Sequence, residues 1–142
     1  MKGTAMRKQL CFLTAAAVML GCFEAKADVY KECLDKNYMS DKAMATCTLQ
    51  EAERVMTTIK QKYNALAGNP YFKQWNTNNR EFNNLVTNWT QYRDRYCDLY
   101  GYTFTQGLGT ISILQSANCV LDMNKRFLQD VEELTKIYQE SK

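Results

Sequence analysis

The sequence predicts an all-α domain of three or four helices, a small bundle stapled by two disulfides. Apolar residues recur three or four positions apart over long stretches, the period of a helix with one buried face. The single proline, Pro70, stands where a helix would begin. Four cysteines, Cys33, Cys47, Cys97 and Cys119, remain once an N-terminal leader is set aside, and none of them lies in a Cys-x-x-Cys pair.

The leader is read from residues 1–27. Arg7 and Lys8 form a basic start, Leu10 to Phe23 is apolar apart from Thr14 and Gly21, and Ala25-Lys26-Ala27 places small residues before a cut at Asp28. That order describes a cleavable signal peptide. The apolar run is shorter than the ~20 residues that a spanning helix needs, and no later segment is as apolar. Met6 is an alternative start. Met19-Leu20-Gly21-Cys22 resembles a lipobox, which would place a lipid anchor on Cys22. The Ala-x-Ala site is the better match, so the expectation is a single unanchored domain over residues 28–142.

Cleavage changes the electrostatics. Of 18 basic and 15 acidic residues, the leader takes Lys2, Arg7, Lys8 and Lys26 against Glu24, which leaves the remainder with no net charge. Nucleic-acid binding usually needs a basic stripe, and none is expected here. Any charge recognition of a protein partner must be local. The cysteines change too: Cys11 and Cys22 leave, and an even set of four in an exported chain reads as a disulfide framework with three possible pairings. Each bridge would contribute about 2–4 kcal/mol, mainly by restricting the unfolded chain.

The elements follow in order. A short helix from Val29 to about Lys36 carries Cys33. A second runs from Asp41 to Leu66 with Ser40 as cap. Its stripe is Met44, Cys47, Ala52, Val55, Met56, Ile59, Tyr63 and Leu66, broken only by the step of five from Cys47 to Ala52. Gly68 ends it, and Asn69-Pro70 caps and starts the next. That third helix is expected to reach about Tyr100, with Trp75, Phe82, Leu85, Val86, Trp89, Tyr92 (or Arg93), Tyr96 and Leu99 on its apolar side. The Asn-rich stretch 76–84 is a possible break. Gly101 to Gly109 (GYTFTQGLG) has three glycines and no helical period, and reads as the one long loop. The last helix spans about Thr110 to Glu140.

Cysteine pairing can be tested against this pattern. If Cys97 is bridged to Cys119 and the last two helices are antiparallel, counting outward from the bridge sets Trp89 against Phe127, Leu85 against Val131 and Phe82 against Leu134. Three large apolar pairs favour Cys97–Cys119, and therefore Cys33–Cys47, which are also close in sequence.

Much catalytic chemistry is excluded. The chain has no histidine, the commonest general base and metal ligand, so no Ser-His-Asp or Cys-His site can be built. Oxidised cysteines without close spacing do not suggest zinc. Paired carboxylates can cleave glycosides, but Asp130, Glu132 and Glu133 read as a solvated helix face. No glycine-rich strand–helix turn suggests phosphate binding. The chain reads as a binder with no cofactor, not as an enzyme.

One stretch is more specific. Trp89 to Cys97 reads W-x-x-Y-R-D-x-x-C, with Trp89, Tyr92, Arg93 and Asp94 at the named positions. Gly109-Thr110, Cys119 and Arg126 follow it, and Cys33, Cys47 and Ile59-x-x-x-Tyr63-x-x-Leu66 precede it. This order resembles the LprI-type lysozyme-inhibitor family of exported bacterial proteins, over roughly Cys33 to Val131. Lys60, Val86 and Met123 depart from the residues common there. The resemblance implies helices, two disulfides, a periplasmic or secreted location and, in some members, inhibition of a lysozyme.

Within that frame Trp89 and Tyr92 are expected in the core. Arg93 is expected to join Asp94 and Asp122 across the helix pair, and Arg126 to bond a carboxylate or helix-end carbonyls. Tyr102, Phe104 and Gln106 are the binding candidates, aromatic and polar groups on a segment tied at both ends by the Cys97–Cys119 bridge. The alternative for Tyr102 and Phe104 is that they fold back over the core. The expected function is steric inhibition of a lysozyme-type glycan hydrolase. The alternative is an exported structural or adaptor protein that binds another envelope component. Mass spectrometry of the exported protein should find Asp28 as its first residue, whereas a lipid-modified Cys22 at the N-terminus would show that the chain is anchored.

Overall fold

The computed structural model describes residues 29–140, and the expected leader, with Met6, Cys11 and Cys22, lies outside them. Helix α1 covers residues 29–37. It is followed by α2 (Asp41–Leu66), α3 (Pro70–Trp75), a 3-10 turn (Thr77–Asn79), α4 (Arg80–Thr105) and α5 (Gly109–Glu140). No strand occurs among the described residues. Both expected bridges are present, Cys33–Cys47 with Cα atoms 5.9 Å apart and Cys97–Cys119 with Cα atoms 5.5 Å apart. No described helix is long and apolar enough to cross a membrane.

Local chemistry explains the boundaries. Ser40 is extended, and its hydroxyl accepts from the Ala43 amide at 3.2 Å, satisfying one of the free donors of the first turn of α2. The step of five in the α2 stripe is filled by Thr48, which is fully buried. Its hydroxyl donates to the Met44 carbonyl at 3.0 Å and lies 3.2 Å from the Tyr30 hydroxyl of α1, so its burial leaves no polar group unpaired. At the start of α3 the Asn69 side chain accepts from the Tyr71 and Phe72 amides. Its Nδ2 also donates to the Tyr138 carbonyl of α5 at 3.1 Å, tying α3 to the far end of the bundle.

The third helix is not continuous, and the Asn-rich stretch is where it breaks. Asn76 turns its side chain forward: Oδ1 accepts from the Phe82 amide at 2.9 Å, while Nδ2 donates to Asn79. Asn79 adopts a left-handed conformation (φ 59°), which asparagine tolerates better than most residues. These bonds substitute for helical ones and let α4 start in a new direction.

The expected long loop is also corrected. Helix α4 runs through Gly101, Tyr102, Thr103 and Phe104, and only residues 106–108 separate it from α5. Gly101 is there for space. A Cβ on it would lie 2.7 Å from the Ser112 carbonyl oxygen and 3.0 Å from Ser116 Cβ, so α4 and α5 approach too closely there for any side chain. The helix stops five residues later, where Gln106 (φ 54°) and Gly107 (φ 72°) turn left-handed and the Gly107 amide donates to the Tyr102 carbonyl at 2.9 Å. That is a Schellman ending.

Helix α5 packs along both α2 and α4. Against α4 it is antiparallel, as Cys97–Cys119 and the Arg93–Asn124 hydrogen bond show. Against α2 it is parallel: Thr110 bonds Asp41, Asn124 bonds Ala52 and Glu132 pairs with Lys62 in ascending order along both helices, and the bond of the Tyr138 carbonyl to Asn69 continues the order just past the end of α2. The core consists of Ala52, Val55, Met56, Ile59, Tyr63 and Leu66 from α2, Phe82 and Cys97 from α4, and Val120, Leu121, Phe127 and Val131 from α5, with Phe72 from α3. Of the expected α4–α5 pairs, Trp89 meets Phe127 with centroids 4.8 Å apart. Phe82 turns instead to Tyr63 of α2 at 3.7 Å, and Leu85 and Leu134 remain at the surface. A third helix was competing for Phe82, which a two-helix register cannot anticipate.

One polar side chain joins all three long helices. Asn124 is fully buried on α5, donates to the Ala52 carbonyl of α2 at 2.9 Å and accepts from Arg93 Nη1 of α4 at 2.9 Å. Asn124→Ala should remove both bonds and strand the guanidinium edge, costing about 2–4 kcal/mol. Thermal unfolding should fall by roughly 10 °C. Gly101→Ala should cost about 1–3 kcal/mol by forcing α4 off α5, read as a lower denaturant midpoint with an unchanged slope.

Candidate functional site

Which face of α4 is free follows from which face is taken. Phe82, Cys97 and Gly101 are buried, with Val86, Trp89 and Arg93 half-buried between them. This face advances in steps of three and four and ends on the bridge and the close approach. Trp89 packs on the core as expected, and its Nε1 is buried with no hydrogen-bond partner among the described residues, so its contribution there is apolar.

Tyr92 is not in the core. It is 57% exposed, because full burial of Cys97 and the inward position of Arg93 rotate it outward. It begins a row at four-residue spacing, Tyr92, Tyr96, Tyr100 and Phe104, all exposed. Neighbouring rings lie 5.9, 6.4 and 5.9 Å apart with planes within 26° of each other. Residues four apart on a helix stand one above the other, so this is a continuous aromatic ridge along the C-terminal half of α4. Trp89 extends it inward, 6.3 Å from Tyr92.

The ridge borders a furrow. Tyr96 and Tyr100 form one wall, and Gln115, Asn118, Asp122 and Arg126 of α5 the other, with Cys119 and Met123 between them. Every lining residue comes from α4 or α5, so the bridge and Gly101 together set the width of the furrow.

Two expected ion contacts are corrected here. Arg93 does bond Asp94, from Nε at 2.8 Å and Nη2 at 2.6 Å, but its third bond goes to Asn124 and not to Asp122. Asn124 faces the interior, whereas Asp122 faces the furrow. Arg126, expected to bond a carboxylate or helix-end carbonyls, is exposed and makes no hydrogen bond or ion pair among the described residues.

Tyr102 and Phe104 do not lie on a loop. They stand on the last turn of α4, 64% and 62% exposed, and do not fold back over the core. The Tyr102 ring lies against Gly107, where a Cβ would come within 2.7 Å of Cε2. Gln106 is the left-handed cap residue. Phe104 is therefore both the end of the ridge and one of the residues expected to bind.

The carboxylates Asp130, Glu132 and Glu133 lie on the surface side of α5. Asp130 and Glu133 are exposed, and Glu132 is paired with Lys62 at 3.0 Å. A second surface hollow, lined by Tyr63, Leu66, Phe72, Trp75, Leu85, Leu134 and Tyr138, lies at the α3 end and contains no charged residue. Burial, and then the neighbouring Tyr138, push the Tyr63 phenol above its ordinary range, so it stays neutral there.

Sequence reasoning placed Tyr96 in the stripe and left Tyr100 in no face at all. The signal was present in the four-residue spacing from Tyr92 to Phe104, but the glycines at 101, 107 and 109 suggested that the helix had already ended.

No curated protein and no solved structure matches the chain. Residues 33–130 match the family described as Lysozyme inhibitor LprI, a span from the first bridged cysteine through most of α5 that takes in both disulfides and the furrow. That span is more than half of the sequence, and the chain belongs to the LprI lysozyme-inhibitor family.

Proposed function

We propose that residues 28–142, exported to the bacterial periplasm or beyond, bind a lysozyme-type glycan hydrolase and block its cleft sterically. The observation that carries this reading is the exposed ridge Tyr92–Tyr96–Tyr100–Phe104. Tyrosine is enriched at protein interfaces because its ring offers a large apolar area while its hydroxyl remains hydrogen-bonded, and few rotatable bonds are lost on binding. The ridge stands on a helix that a disulfide and a glycine contact hold to its neighbour, so little further ordering is needed on association. Tyr102 and Gln106 flank its Phe104 end and extend the contact. Family membership supports an inhibitor over a catalyst, and so does the lack of histidine.

The alanine variants Tyr96→Ala/Tyr100→Ala and Phe104→Ala should each raise the inhibition constant against the target lysozyme by about 30-fold, the loss of one to two interface anchors. Circular dichroism and thermal midpoint should stay as in the parent, because these rings are exposed. Tyr102→Ala should have a smaller effect in the same direction. A chain that leaves every lysozyme of a panel fully active at stoichiometric excess would favour the adaptor reading instead.

A further inference from the structure

A glycan hydrolase carries two carboxyl groups about the bond it cleaves, so a protein that fills its cleft must cover them. Covering a carboxylate without giving it a partner is costly. The side chain best matched to a carboxylate is a guanidinium, whose planar fork can donate two parallel bonds.

Most described arginines are already committed. Arg54 is bound to Glu51, Arg80 to Glu81, and Arg93 to Asp94 and Asn124. Arg95 is exposed but does not line the furrow. Arg126 does line it and has no hydrogen bond or ion pair among the described residues, although Asp122 stands one turn away on the same helix. Of the two arginines left uncommitted among the described residues, Arg126 is the one that lines the furrow. Tyr96 and Tyr100 stand across the furrow from it. Once a partner covers these rings, water is excluded and a charge-assisted bond made beside them strengthens. Asp122 gives the wall a polarity, repelling a carboxylate from the Gln115 end and leaving the Arg126 end open to it.

We infer that Arg126, on the inhibitory reading above, is the specificity-determining contact: its guanidinium engages a catalytic carboxylate of the bound glycan hydrolase while Tyr96 and Tyr100 seal the surrounding surface. The inhibitor thereby occupies the charge that the enzyme needs, as well as the space.

The test uses the whole mature chain and a lysozyme that it inhibits, with Arg126→Gln and Arg126→Lys as variants. Arg126 is exposed, so both should keep the parent circular dichroism spectrum and thermal midpoint. Arg126→Gln should raise the inhibition constant by about 30-fold, and Arg126→Lys, which keeps the charge but loses the fork, should fall between it and the parent. Calorimetric binding to a lysozyme whose acid carboxyl has been replaced by the amide decides the contact. There, parent and Arg126→Gln should differ by no more than about 2-fold, since the partner group is gone. Undiminished inhibition by Arg126→Gln would overturn the assignment, and so would an equal loss on both enzymes. A parent chain that inhibits no lysozyme would overturn the inhibitory reading itself, a result distinguishable from either.

Discussion

The rotation of α4 about its own axis governs most of what is distinctive here. Two features set it within one turn, the bridge from Cys97 to Cys119 and the contact of Gly101 with Ser112 and Ser116. With those positions facing α5, Arg93 points inward, and Tyr92, Tyr96 and Tyr100 stand at the surface, the last two along the edge of α5. A helix turned by one residue would bury the tyrosines and expose the guanidinium. The same sequence composition would then present a charged surface in place of an aromatic one.

Asparagine does much of the joining. Asn124 connects three helices, Asn69 caps one helix and holds the end of another, and Asn76 stands in for the backbone where α3 gives way to α4. Each is nearly or wholly buried, and each uses both halves of its amide. Burial of an amide is tolerable only when donor and acceptor are both satisfied. These residues therefore specify geometry more sharply than the apolar contacts around them, which tolerate sliding.

How far the fold could be read from the sequence depended on whether the deciding contact was local. The start of α2 at Ser40–Asp41, its end at Leu66, and the Asn69–Pro70 restart depend on neighbours a few positions away, and all were readable. So was the disulfide pairing, because one bridge aligns Trp89 with Phe127. Three glycines in nine residues suggested a loop, since glycine weakens helices on average. At Gly101 the gain from close α4–α5 packing outweighs that local cost, and only the neighbouring helix shows it. Arg93 bonds Asp94 as expected but takes Asn124 and not Asp122 as its other partner, because which α5 residue faces inward is set by α2. Arg126 went the other way: charge and register suggested a structural bond, and the three-dimensional arrangement leaves it without one. Family membership, by contrast, was legible from motif order alone, while the ridge needed the phase of α4.

The parallel arrangement of α2 and α5 has a consequence for how the chain reaches this state. Asn124 and Ala52 are 72 positions apart, whereas Cys97 and Cys119 are 22 apart. Closing the longer loop costs only about 1 kcal/mol more in chain entropy, but it has to wait for the later segment to exist. A chain emerging from its N-terminus presents the apolar face of α2 long before α5 can cover it. The α4–α5 hairpin can form from local contacts as soon as its second arm appears, and then dock on α2 as a unit. The surface at greatest risk of misassociation is thus the Val55–Ile59–Tyr63 face of α2 during synthesis, not the aromatic ridge, which is exposed in the finished molecule.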